Sequence, residues 1–389
     1  MYLNATIADY QTDVYAYDKL NYSTSNNTID DFINPFASIL WLKTIFIPTI
    51  FGVICFSGLL GNGIVVCVLM RYSDLKTVPN VYILNLASAD LLFMLGIPFL
   101  AYQYTGKTWL FGKAMCKLVM GIDGINMFAG IFTLTAMCID RYLAIVNAIE
   151  SMTYRTVNSA RLTCIFIWIL AVMATLPLWI YADTKPGPAA SVRCDIYFAN
   201  EVIHNAFIIY GFIIGFALPL LVISLCYFRI LIYLNRGTPS TYRTSKRHSK
   251  RSSLGRAGII VMLAVALFTV CWLPFWVIQF ITTFNAAPNN LYSVDFIIVY
   301  YSSMCLSYAN SCLNPVVYTC AGGNFRQKLI RMCLGRKRID YYTSHNSYFR
   351  RSSACVEDVV CELPTMTTTM SSQQVGLITC ANEIVDNQL

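Results

Sequence analysis

Two aspartates, Asp90 and Asp123, lie inside long apolar stretches of this chain, and an Asp140-Arg141-Tyr142 run follows the second. A charge in the middle of a stretch of roughly 20 apolar residues costs at least about 2.5 kcal/mol in lipid, so such acids are the first candidates for function. A buried carboxylate without a partner gains a charge-assisted bond from an incoming ammonium or guanidinium. Asp123 therefore reads as a counter-ion for a cationic ligand; the plainer reading is a salt bridge or hydrogen bond to a neighbouring helix. At 1.5 Å of helical rise per residue it stands roughly 27 Å from Arg141, so one helix carries an acid toward one face and a cation toward the other. Asp90, with Asn126, Asn310, Ser311 and Asn314, reads as a cation or proton site, or more plainly as a neutral, hydrogen-bonded carboxyl.

Other chemistries find little support. His204, His248 and His345 are scattered, and no nucleophile–base pair or metal-ligand spacing accompanies them, so no enzyme is expected. His204 reads as a polar residue at an outer helix end. The net charge of +8 is concentrated in loops and need not mean nucleic-acid binding.

The elements that position these residues are apolar. The chain is 57% hydrophobic and 12% charged, where a soluble domain carries about 25% charged residues. Seven stretches are long enough to cross a bilayer as helices: residues 45–70, 78–104, 114–146, 162–182, 202–234, 257–284 and 296–318. Pro177, Pro219, Pro274 and Pro315 each interrupt one, permitting kinks suited to a two-state movement. The fold class is an all-α seven-helix membrane bundle. A short amphipathic eighth helix is expected at residues 325–332, with Cys333 as a palmitoylation candidate.

Basic residues set the orientation. Arg71, Lys76, Arg155 and Arg161, the run from Arg236 to Arg256, and Arg326 to Arg338 all fall in loops on one side, which should be cytoplasmic. The amino terminus is then outside, in agreement with sequons at Asn4, Asn21 and Asn26. The start lacks a basic region and an apolar core, so the first span is expected to serve as the targeting signal. Cys116 and Cys194 both fall in the oxidising compartment, so a disulfide between them is expected. The organisation is an extracellular glycosylated segment (1–44), the bundle (45–322), an amphipathic juxtamembrane helix with a basic segment (323–338), and a disordered, Ser/Thr-rich cytoplasmic tail open to kinases (339–389).

Ordered signatures, one per span, carry a resemblance. They are Gly61-Asn62; Leu84-Asn85-Leu86-Ala87 with Asp90; Cys116 with Asp140-Arg141-Tyr142; Trp168; Pro219 with Tyr227; Phe268 with Cys271-Trp272-Leu273-Pro274; and Asn314-Pro315 with Tyr318. Together they resemble rhodopsin-like (class A) G-protein-coupled receptors. Trp109-x-Phe111-Gly112, Asp123 followed by Asn126-Met127-Phe128, and the run from Ser307 to Cys312 are most similar to somatostatin and opioid peptide receptors. The Ser-Tyr-Ala-Asn-Ser-Cys run leans toward the somatostatin type; invertebrate allatostatin C receptors are related.

The resemblance implies a plasma-membrane receptor for an extracellular peptide bearing Lys or Arg. Asp123 would meet the cation, with Gln279, Tyr308 and Trp272 nearby. Trp272 and Phe268 would transmit the change about Pro274, and Asp140, Arg141, Tyr227, Asn314, Pro315 and Tyr318 would form the switch. Ile149 would contact a G protein of the Gi/o class, and receptor kinases and arrestin would act on the tail. Asp90, Asn126, Asn310 and Asn314 would hold an allosteric sodium ion, with no other cofactor. Gly130 departs from this pattern, standing where many relatives supply a sodium-binding serine; Ala148 and Leu254 depart elsewhere.

Competing readings are an opioid-like or aminergic receptor and, distantly, a transporter. Gly211-Phe212-Ile213-Ile214-Gly215 lacks the hydroxyls that aminergic receptors place on the fifth span. The seventh span has no lysine for retinal, which excludes an opsin.

Overall fold

A computed structural model describes residues 41–72, 77–105, 108–187, 191–235, 245–284, 294–321, 325, 328–330 and 332, by backbone alone at 43, 72, 234, 245–257, 294, 320 and 321. Seven of its helices are long and apolar enough to cross a membrane. In hydrocarbon every backbone N–H and C=O must be satisfied within the segment, which is why these stretches fold as helices.

The first helix, α1, is Ile47–Tyr72, entered through a π-turn at Leu42–Phe46. Helix α2 is Val78–Tyr104, with Pro98 inside it, a proline the sequence reading passed over. Helix α3 is Gly112–Ile145. Helix α4 is Val157–Ala174, capped by the Thr156 hydroxyl, and it stops at Thr175; Pro177 opens a separate short turn of helix, Leu176–Tyr181. Helix α5 runs Glu201–Phe212, a π-turn at Ile213–Ala217, then Leu218–Asn235, with Pro219 just past the wide turn. Helices α6 and α7 are Ser245–Phe284 and Val294–Ala321, and contain Pro274 and Pro315. Of the expected eighth helix, Phe325, Lys328 to Ile330 and Met332 are helical; its other residues and Cys333 lie outside the described residues. So do Asn4, Asn21 and Asn26 and the tail.

Helix α3 is the axis. It packs on α2, α4, α5 and α6 and on both strands of a β-hairpin. That hairpin, β1 (Ala182–Pro186) against β2 (Val192–Ile196), was not foreseen; it pairs antiparallel with Thr184 opposite Cys194. A Cys116–Cys194 disulfide ties β2 to α3. Three further bonds hold β2 across the mouth of the bundle. Trp109 N–H donates to the Val192 carbonyl at 2.7 Å, Val192 N–H donates to the Thr108 hydroxyl at 2.7 Å, and the Gln103 amide donates to the Cys194 carbonyl.

Glycines on α3 let the α4 side come close. A Cβ on Gly121 would collide with the Trp179 ring, and one on Gly124 with Leu178 and Thr175. Lys117 then donates to the Trp179 and Ile180 carbonyls, a cation at the carbonyl end of the short helix. Polar clamps lock the other spans. Asn85 joins α2, α3 and α4 by donating to Thr133 at 2.8 Å and accepting from Trp168 at 2.9 Å. Asn62 joins α1 to α7 through the Ser311 carbonyl at 3.0 Å. Apolar side chains such as Phe56, Leu60, Ile165, Phe166 and Ile169 face outward, as lipid-facing positions should.

Candidate functional site

A cavity opens at the disulfide end of the bundle. It has about 890 Å³ of space, counting solvent at its mouth. Asp123 of α3, Gln279 and Trp272 of α6 and Tyr308 of α7 all line it, so four residues far apart in sequence meet as expected. The walls are otherwise apolar and aromatic: Met127 and Phe128 of α3, Phe207 of α5, Phe275 and Trp276 of α6. A concave apolar pocket with a few converging polar groups is the usual form of a ligand site.

The Asp123 carboxylate has little to satisfy it. The Tyr308 hydroxyl donates to its Oδ2 at 3.5 Å, the outer limit for a hydrogen bond. Among the described residues the ion pairs are Lys113–Asp183, Arg141–Asp140 and Arg155–Asp140. None reaches Asp123, so the salt-bridge reading of this acid finds no partner there.

Trp276 and His204 also line the cavity, and sequence reasoning did not select them for it. Trp276 fits because Gly211 on α5 has no side chain: a Cβ there would meet the Trp276 ring at 3.1 Å. Its indole N–H is buried without an acceptor. The Gly211 at the position searched for hydroxyls was the available signal.

Below the cavity aromatic side chains pack against one another. Phe268 stacks on Trp272 at 5.8 Å between ring centres and on Phe216 at 6.1 Å. One turn deeper, Asn314 donates to Asp90 Oδ2 at 2.9 Å and Asn126 donates to the Ser311 hydroxyl at 3.0 Å. Asn126 Oδ1, Asn310 Oδ1 and Asn314 Oδ1 are buried with no donor facing them. These orphan oxygens beside a buried carboxylate suit a hard monovalent cation.

At the opposite end Asp140 is shared. Arg141 donates to its Oδ2 at 2.7 Å and Arg155 to its Oδ1 at 2.6 Å. Arg155 had been read only as a loop charge that sets orientation; it is also the second arginine on this acid. Tyr227 of α5 donates to the Gly258 carbonyl of α6 at 3.0 Å. Tyr318 is buried with its hydroxyl unpartnered, Pro315 lies against Gly61, and Pro274 is half-buried in α6. Ile149 is 87% exposed, an apolar side chain presented to the surroundings. The expected residues thus form two groups at the two ends of the bundle, joined by the Phe268–Trp272 stack and the Asp90–Asn314 bond.

The sequence is similar to those of known proteins. Residues 61–318 match the family described as 7 transmembrane receptor (rhodopsin family). The chain is 40% identical to the somatostatin receptor type 2 of Mus musculus over 283 residues, covering 72% of this chain and 74% of the relative. It is 36% identical to the somatostatin receptor type 4 of Rattus norvegicus over 299 residues (74% and 73%), and 38% identical to the human type 3 receptor over 306 (78% and 72%). The chain therefore belongs to the rhodopsin family of seven-transmembrane receptors and, within it, lies close to the somatostatin receptors.

Proposed function

We propose that the protein is a plasma-membrane receptor for an extracellular cationic neuropeptide, somatostatin-like or allatostatin C-like, that signals through Gi/o to inhibit adenylate cyclase. The observation that carries the reading is Asp123, a carboxylate inside an aromatic cavity with one long hydrogen bond and no basic partner among the described residues. A Lys or Arg side chain supplies what the site lacks: a charge, and donors for the remaining oxygen lone pairs. The names of the relatives support a peptide; the basic loops support placing the disulfide end outside and the Arg141 end in the cytosol.

Peptide seated between α3, α5, α6 and α7 would favour the state in which α6 swings outward about Pro274. It does so only by its differential affinity for the two states. Arg141, Tyr227 and Tyr318 would rearrange to open a cleft for the G protein, and Ile149 would enter its surface. Receptor kinases and arrestin would follow at the tail.

The residues around Asp90 fit sodium, which when bound would supply a positive charge to orphan oxygens. Asp90, Asn126, Asn310 and Asn314 would hold it. Gly130 offers no ligand, yet a Cβ there would meet only Leu86, at 3.9 Å, so there is room for a missing hydroxyl.

The test is activation of Gi/o in cells by somatostatin-like, allatostatin C-like and opioid-like peptides and by monoamines. Response to a Lys- or Arg-bearing peptide is expected. Response to a monoamine alone would overturn the peptide assignment.

A further inference from the structure

The indole N–H of Trp276 is buried and meets no acceptor among the described residues. Hydrogen bonding therefore gives no reason for a tryptophan at this place on α6, where a phenyl ring would carry no such cost. What the indole supplies is volume. It lines the cavity on the side where α5 and α6 meet. Gly211 of α5 admits it: a Cβ on that glycine would stand 3.1 Å from the Cη2 carbon of the ring and 3.7 Å from Cζ3. Both carbons belong to the six-membered part of the indole that reaches beyond a phenylalanine. Two further rings hold the indole edge-on, Phe212 of α5 at 5.6 Å and Phe275 of α6 at 5.5 Å between ring centres. Phe212 is backed in turn by Phe216 at 5.7 Å and Phe280 at 5.0 Å. Rings packed this closely do not make room by compression. A larger residue at 211 would drive the indole toward the cavity, and a ligand pressing on it finds a solid wall behind.

We propose that Trp276 and Gly211 are a matched pair that sets specificity by size: the indole, admitted by the glycine, closes the cavity between α5 and α6 and limits the apolar group a ligand carries beside its cation. The proposal rests on the reading above, in which a cation seats on Asp123, and adds the chemistry of its neighbour. That neighbour is compact rather than an extended or fused-ring group. The pair discriminates by exclusion, which costs the accepted ligand nothing and penalises the larger one.

The parent, Trp276→Phe, Gly211→Ala and the double variant are compared, with Trp276→Tyr taking the place of Trp276→Phe if that variant reaches the surface poorly. One probe series is a Lys-bearing somatostatin-like peptide with alanine, phenylalanine or naphthylalanine at each position flanking the lysine, read by competition binding on membranes. The other needs no peptide recognition: phenethylamine and naphthylethylamine, read by thermal stabilisation of the purified receptor. Trp276→Phe should shift the naphthyl-to-phenyl preference about tenfold toward naphthyl, the scale on which a few ring atoms matter in an apolar pocket. Gly211→Ala should shift it several-fold the other way, and should do little once Trp276 is phenylalanine, because the added methyl then meets no ring carbon. Loss of packing alone would weaken every probe alike and leave the preference unmoved; an unmoved preference in both series overturns the proposal. Independent, multiplying effects of the two substitutions overturn the pairing. A size switch with the amines in a receptor that no peptide binds would leave the pair standing and count against the peptide function. Binding by neither series overturns both.

Discussion

Asp123 and Asp90 were both legible in the sequence because an acid among apolar residues is costly and needs a reason. What the sequence could not show was the company each keeps. Tyr308 near Asp123 and Asn314 beside Asp90 lie 185 and 224 residues away along the chain, and only the bundle brings them together. If sodium binds the conformation described here, it opposes activation. Exchanging sodium for a bulky organic cation at constant ionic strength should then raise peptide affinity by about fivefold or more in the parent and leave Asp90→Asn unchanged. A radioligand competition assay measures both. Asp195 gives a second test. It is buried on β2, and burial pushes its carboxyl up to about 6, against the pull of the Ile196 amide and Arg193. The folded form holds that proton where the unfolded chain, near 3.9, has lost it, so stability falls as pH rises from roughly 4 to roughly 6 and is level above. Asp195→Asn should stabilise the fold at neutral pH by at most about 3 kcal/mol, seen as a higher thermal midpoint, and leave the midpoint little moved near pH 4. Equal midpoints at neutral pH would mean that Asp195 carries no such penalty.

The spans were readable at the scale of elements because a bilayer demands about 20 apolar residues whatever they pack against. The second expected span coincides with Val78–Tyr104, and the others agree to within a few residues except at the fourth. There the reading ran through Pro177 into what is a separate short helix and the first residue of the hairpin. The hairpin escaped notice because both strands are only five residues long and Ala182–Pro186 carries no apolar alternation, although Val192–Ile196 does; β2 is held in place by the disulfide and by bonds to α2 and the following loop. Cys194→Ser should therefore cost about 2–5 kcal/mol and lower surface expression, read by flow cytometry and thermal melts. Helix α3 needs small residues where α4 ends, and no periodicity announces that. Gly121→Ala should push Trp179 aside and destabilise the receptor by about 1–3 kcal/mol in a detergent melt. A melt identical to the parent would show that the contact yields freely.

For the whole molecule, the proposed function makes the cavity and the Arg141 end parts of one equilibrium. If peptide strengthens G-protein binding by some factor, G protein must strengthen peptide binding by the same factor. The family was recognisable from ordered signatures spread over the spans, while Trp276 and His204, which shape the cavity, belong to no such signature and emerged only from packing. The most direct measurement is a double-mutant cycle across the ligand's cation. Activation is recorded for the parent and for Asp123→Asn, each with a Lys-bearing somatostatin-like peptide and with its analogue carrying norleucine at that lysine. An Asp–Lys pair in the cavity predicts that either change alone costs roughly 30-fold or more, and that the second then adds little. Two independent, multiplying losses, or a peptide response untouched by Asp123→Asn, would contradict it and place recognition elsewhere on the disulfide end.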